Sequence, residues 1–186
     1  MIEIANIILA LALFLVITFV PINIFTLKNK IFINCSSLDI ASFNLIINYC
    51  ILLFFSLLPF PLESYNFIYY TVLILIFFYS YFLKEKNFNF FKKTIFNFLI
   101  FTTIFFIISI DVAAKLKLGW DAQFFYYIKS LFFVEGQTFY DLNNFQYGFH
   151  PHLGSYFWSF YWKLIDLNFE YTGRLFYVFI SCFSFF

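Results

Sequence analysis

Residues 94–118 read TIFNFLIFTTIFFIISIDVAAKLKL: a charge-free run of 17 residues that gives way at Asp111 to a polar, varied segment. At 1.5 Å per residue, a helix over 94–110 is about 25 Å long, close to the thickness of a bilayer's hydrocarbon core. Similar apolar runs precede it. The chain is 63% hydrophobic and 11% charged. Ordinary globular domains carry about 25% charged residues, so there is too little polar surface here to cover one core. This pattern predicts an all-α integral membrane protein, a multi-span helical bundle.

The runs place four transmembrane helices in residues 1–110, at about 4–26, 43–60, 65–83 and 94–110. Pro21 is expected to kink the first. Pro59-Phe60-Pro61 ends the second, through missing amide hydrogens and the restriction on the residue before each proline. Residues 153–186 then hold a fifth span, Leu153 to Leu167, with Lys163 and Asp166 near one end, and the beginning of a sixth. Leu175 to Phe186 is only 12 residues, about 18 Å of helix, and a longer parent protein is expected. The first run has neither a basic n-region nor a small-residue cleavage site and reads as a retained span.

Lysines set the expected orientation. Lys28 and Lys30 follow the first run, and Lys84, Lys86, Lys92 and Lys93 separate the third from the fourth. The other side holds only Glu3 and Glu63. The positive-inside rule then puts the N-terminus and residues 111–152 outside the cytoplasm, in a multi-pass protein of the cell (plasma or inner) membrane.

Composition also excludes some classes. The aromatic content rules out disorder. A net charge of +1 with scattered basic residues argues against nucleic acid as a partner. Cys35, Cys50 and Cys182 lie far apart and read as small hydrophobes rather than a disulfide or metal site. The 35 phenylalanines are assigned no chemistry.

All five glycines, three tryptophans and two histidines fall after residue 118. Unusual residues gathered in one polar stretch of an apolar chain mark the place to look for function. Asp121 is placed as the N-cap of a helix over about 121–135, ended by Glu135-Gly136. Trp120, Tyr126 and Tyr127 suit a membrane interface, which makes this an interfacial amphipathic helix. Asp121, and after it Asp111, could also act as general base toward a hydroxyl or hold a cation that binds phosphate. Both the cap and the base reading remain open on these residues alone. His150 and His152 flank Pro151 and face opposite sides of an extended segment, which makes joint ligation of one metal awkward. Lys129 and Arg174 could meet an anionic lipid or pyrophosphate. Glu135, Asp141 and Glu170 read as solvated loop charges, while Asn44, Asn48 and Asn97 could hydrogen-bond between helices.

The order of features from 120 to 160 resembles the multi-spanning glycosyltransferases of the GT-C type, which take sugars from polyprenyl-phosphate carriers. The matching pieces are Trp120-Asp121, the helix Ala122 to Val134, Gly136, Tyr140, Tyr147 and His150-Pro151-His152-Leu153-Gly154. The resemblance implies that Asp121 is the catalytic carboxylate and that the lipid phosphate is displaced with inversion. A divalent cation or a basic side chain would balance the leaving charge. Substrate contacts are then expected from Trp120, Lys129, Tyr147, His150, His152 and Arg174. The expected function is sugar transfer from a polyprenyl-phosphate donor to an extracytoplasmic acceptor, in the N-terminal part of a longer enzyme. The alternative is a non-catalytic multi-pass subunit for lipid handling or cell-envelope assembly. Ion-coupled transport is disfavoured, because the four clear spans hold no ionisable group near their middles.

Overall fold

The computed structural model describes residues 4–19, 37–82, 95–115, 118–119, 122–144, 151–165 and 170–185. Among these residues the structure is helical and contains no strand. The helices are α1 (Ile4–Phe19), α2 (Ser37–Ser56), α3 (Leu62–Phe82) and α4 (Ile95–Ala114). A π-helical turn, Ala122–Tyr127, leads into α5 (Ile128–Val134), and a 3-10 segment, Phe139–Asn144, follows. Helices α6 (Leu153–Ile165) and α7 (Tyr171–Phe183) complete the fold.

Breaks between helices follow local chemistry. α2 stops at Ser56, ahead of Pro59 and Pro61, and α3 starts at Leu62, with the Pro61 carbonyl accepting the Ser64 amide at 3.1 Å. α5 ends in a Schellman cap: Gln137 N–H reaches the Phe132 carbonyl at 3.2 Å and Gly136 N–H the Phe133 carbonyl at 3.1 Å. This geometry needs a left-handed residue, and Gly136 supplies it with φ +90°. Thr138 and Asp141 cap the 3-10 segment, the Asp141 carboxylate accepting the Thr138 amide at 2.8 Å and its hydroxyl at 2.7 Å. Asp141 is thus a capping residue rather than a solvated loop charge.

The expected multi-span membrane bundle is overturned: among the described residues no helix is long and apolar enough to cross a membrane. α1 has 16 residues, about 24 Å, and α6 and α7 have 13 each, about 20 Å, against a hydrocarbon core of about 30 Å. The longer helices contain polar groups that shorten their apolar stretch: Asp39, Asn44 and Asn48 in α2, Glu63 and Asn66 in α3, and Asp111 in α4. The multi-pass localisation, the extracytoplasmic placing of the N-terminus and of residues 111–152, and the interfacial lie of the 121–135 helix fall with it. That last segment packs along α6 instead. Pro21 and Cys35 lie outside the described residues.

α6 is the central helix, in contact with α1, α2, α3, α5 and α7. Its partner α7 also packs on α1 and α4. Where they meet, Phe14 of α1 lies edge-on to Tyr161 at 5.6 Å and Phe176 at 5.5 Å, while Tyr161 stacks on Phe176 at 3.6 Å. Phe105 of α4 joins through Phe179 at 6.2 Å. All five rings are almost fully buried, and each burial stabilises by about 1.5–3 kcal/mol. Gly173 lets α7 come this close: a Cβ there would lie 2.3 Å from the Trp158 carbonyl oxygen.

Asparagines tie the outer helices inward. Asn44 donates to the Thr18 carbonyl of α1 at 2.7 Å, and Tyr69 of α3 donates to Asn48 Oδ1 at 2.8 Å. These interhelical bonds are the ones expected from polar residues in apolar runs. The Asn97 side chain lies outside the described residues.

Candidate functional site

The site begins with three small residues. Ser130 of α5 and Ser155 and Ser159 of α6 are completely buried and let the two helices approach closely. Ser159 Oγ donates to the Ser130 carbonyl at 2.8 Å, and Ser155 Oγ to the Tyr126 carbonyl at 3.0 Å. Every hydroxyl in this seam therefore has a backbone acceptor, which a buried polar group requires.

Lys129 sits beside Ser130 and is also completely buried. Burial pushes its ammonium below the usual lysine range, because a cation loses hydration there. Its charge reaches His152, at the entrance to α6. Burial first, and then the Lys129 charge, lower the proton affinity of that imidazole, which stays neutral at pH 7. The ring of His152 rests on Phe139 at 4.3 Å between centroids. Its Nε2 lies 3.4 Å from Ser56 Oγ, at the end of α2. Ser56 already donates its one proton to the Leu53 carbonyl at 2.7 Å, so the contact calls for a proton on His152 Nε2. Tyr140, which donates to the Leu57 carbonyl at 3.1 Å, holds the 3-10 segment over the same corner. One turn along α6, Tyr156 lies edge-on to Phe133 of α5 at 5.3 Å. Its buried hydroxyl finds no partner among the described residues, and burial raises it above the ordinary phenol range.

His152, at the entrance to α6, therefore sits between Ser56 at the end of α2 and Phe139 of the 3-10 segment, within reach of the Lys129 charge. The corner's chemistry suits an anion. The lysine offers charge, and the imidazole offers a second donor once protonated.

Among the described sequence-derived candidates, Lys129 and His152 are the two whose charges act on one another. Asp111 stands apart at the end of α4, paired with Lys115 at 2.7 Å in an exposed turn. Arg174 pairs with Glu170 at 2.6 Å and lies over Trp158 of α6 at 5.9 Å, so its charge is already answered by the residue that precedes α7. Glu170 is consequently no solvated loop charge. Its carboxyl is raised by burial, against the opposing pull of Arg174. Trp120, Asp121, Tyr147 and His150 lie outside the described residues. Of the cysteines, Cys50 is free and exposed, and Cys182 is free and buried.

Sequence reasoning missed Ser56, Ser130, Ser155 and Tyr156. Only the pair Ser155 and Ser159 left a readable signal, two small residues one helical turn apart in an aromatic helix.

No family model, curated protein or solved structure matches this chain.

Proposed function

We propose that this protein takes part in sugar transfer from a polyprenyl-phosphate donor to an acceptor hydroxyl, with Lys129 and His152 beside the donor phosphate. The observation that supports this reading is the completely buried Lys129, whose charge acts on His152 at the start of α6. Burial and then the Lys129 charge disfavour a proton on His152, so the two groups would repel only once the imidazole is protonated. A phosphate beside them would favour that proton and accept charge-assisted hydrogen bonds from both groups. Its negative charge grows as the bond to the sugar breaks, which is when a fixed cation helps most. Lys129 then fills the role of the basic side chain that the GT-C resemblance allows in place of a divalent cation.

Asp121 is assigned as the base on that resemblance. It takes the acceptor's proton while the acceptor oxygen bonds the anomeric carbon and the polyprenyl phosphate departs with the electrons of the broken C–O bond. Asp111 is the weaker candidate, because Lys115 already engages its carboxylate.

Transfer from a polyprenyl-phosphate sugar by the Asp121→Asn variant tests the base. A loss of about a hundredfold or more is expected; a wild-type rate removes Asp121 from the mechanism. Lys129→Met tests the phosphate contact. An unpaired methylene chain of similar volume keeps the fold, and the donor KM should rise about tenfold or more. An unchanged KM would show that the basic corner does not meet the donor.

A further inference from the structure

The outward side of α2 carries a regular apolar stripe. Phe43, Ile46, Cys50, Leu53 and Leu57 follow one another at spacings of three, four, three and four residues, as the a and d positions of a coiled-coil seam do. Phe54 widens the stripe along one edge. The helical course extends to its last member, because the Leu57 amide donates to the Phe54 carbonyl at 3.2 Å. Asn44, Leu45, Asn48 and Leu52 are the residues that α2 buries in this fold. The large side chains of the stripe remain 41–60% exposed, and Cys50 is a free, exposed thiol.

The stripe matches its own reverse. Ile46 stands four residues before Cys50 and Phe54 four after it, while Phe43 stands seven before and Leu57 seven after. A two-fold axis at Cys50 therefore sets Ile46 of each copy against Phe54 of the other, and Phe43 against Leu57. That reciprocity is the property of an isologous interface. Cys50 is the smallest of these side chains, at the point where the two backbones come closest.

Charge and area favour the same occupant. Asp39 is the one ionised residue of α2, and antiparallel order keeps the two copies of it at opposite ends of the seam and opposes the helix dipoles. Foreign helices are selected by charges that flank a seam, and α2 has none beside this one. A large side chain fully in water shows roughly 200 Å². At the exposures above, the stripe offers about 500 Å² per copy, or about 1,000 Å² in a pair, which is where specific interfaces begin. We propose that this chain forms a two-fold dimer, α2 against α2 in antiparallel order with Cys50 at the axis. The pairing involves neither Asp121 nor Lys129 and stands whether or not the chain transfers sugar.

Cross-linking of the purified whole chain with a short bis-maleimide tests it. Cys35→Ser and Cys182→Ala leave Cys50 as the sole thiol. The comparison chain adds Cys50→Ser and Ile107→Cys, which moves the thiol to a side chain of α4 that is 65% exposed. Cross-linked dimer through Cys50 is expected in at least about tenfold excess over dimer through position 107. Ile46→Asn, on the exposed side of α2, should leave the fold in place and lower the Cys50 yield about tenfold. Sedimentation velocity on the unmodified chain, whose cysteines are untouched, should show a dimer that Ile46→Asn converts to monomer. Equal yields at the two positions would mean indiscriminate apolar association, and a monomer at every concentration would mean that something other than a second copy covers the stripe. Either result, or a yield that Ile46→Asn leaves unchanged, would overturn the proposal.

Discussion

α3 and α6 are both built from aromatic and aliphatic residues, yet they end in opposite situations. α6 buries nine of its 13 residues. α3 leaves Phe67, Ile68, Val72, Ile74, Leu75 and Phe78 exposed. Hydrophobicity alone does not separate them. What does is the room each offers to a neighbouring backbone. Ser155 and Ser159 admit α5, and Gly173 admits the backbone at Trp158, so α6 is approached from several sides. α3 has neither Gly nor Ala and meets α6 through the large side chains of Tyr69 and Tyr70, while its other face stays exposed. Close packing needs small residues at the contact, and large rings around them supply the buried area.

Substitutions can sharpen or break this contrast. The largest effect is expected at Phe14, whose ring meets Tyr161, Phe176 and Phe179. Phe14→Ala should lower unfolding free energy by about 3–5 kcal/mol in denaturant titration, and a small loss would mean that α1 is not part of the central packing. Gly173→Ala comes next, at about 1–3 kcal/mol, since either the Trp158 backbone or α7 must shift. A neutral result there would remove close approach as the reason α6 is buried.

The third prediction concerns pH. His152 has a folded-state proton affinity below its ordinary pKa of 6.5, so below that pH the unfolded chain binds the proton first. Stability is full above 6.5 and falls as the pH drops from there toward the lowered folded value. His152→Gln should flatten this part of a stability-against-pH curve. An unchanged slope would place the imidazole in solvent rather than in the Lys129 corner. The smallest effect is expected on α3: Leu75 is 63% exposed, and Leu75→Asn should change stability by no more than about 0.5 kcal/mol. A loss as large as that at Gly173 would show that something packs on this face of α3.

Much of the helical layout could be read from local signals. The Pro59–Pro61 stop separates α2 from α3, and Glu135-Gly136 ends α5 where glycine's left-handed conformation is needed. The apolar runs do not make membrane spans because the helices they form are too short or too interrupted by polar residues to cross a bilayer. Phe14, Phe105 and Phe179 look like lipid-facing filler in sequence, and each lies fully buried in the protein's own core. The candidate site was legible only in part. Lys129 and His152 stood out as rare residues in an apolar chain, but Arg174 stood out equally and proved to be engaged by Glu170.

By itself, the sequence determined that the chain is helical, where several helices stop, and which few polar residues deserved attention. Those properties depend on neighbours within a turn or two, through propensity, proline and glycine. Only the tertiary structure decided that His152 meets Ser56, that Asp111 stays at an exposed end, and that α3 and α6 leave a groove between Asn66 and Lys163. The physical reason is range. Burial and long-range charge coupling are set by elements dozens of residues apart, and a linear apolar pattern does not record which face meets which.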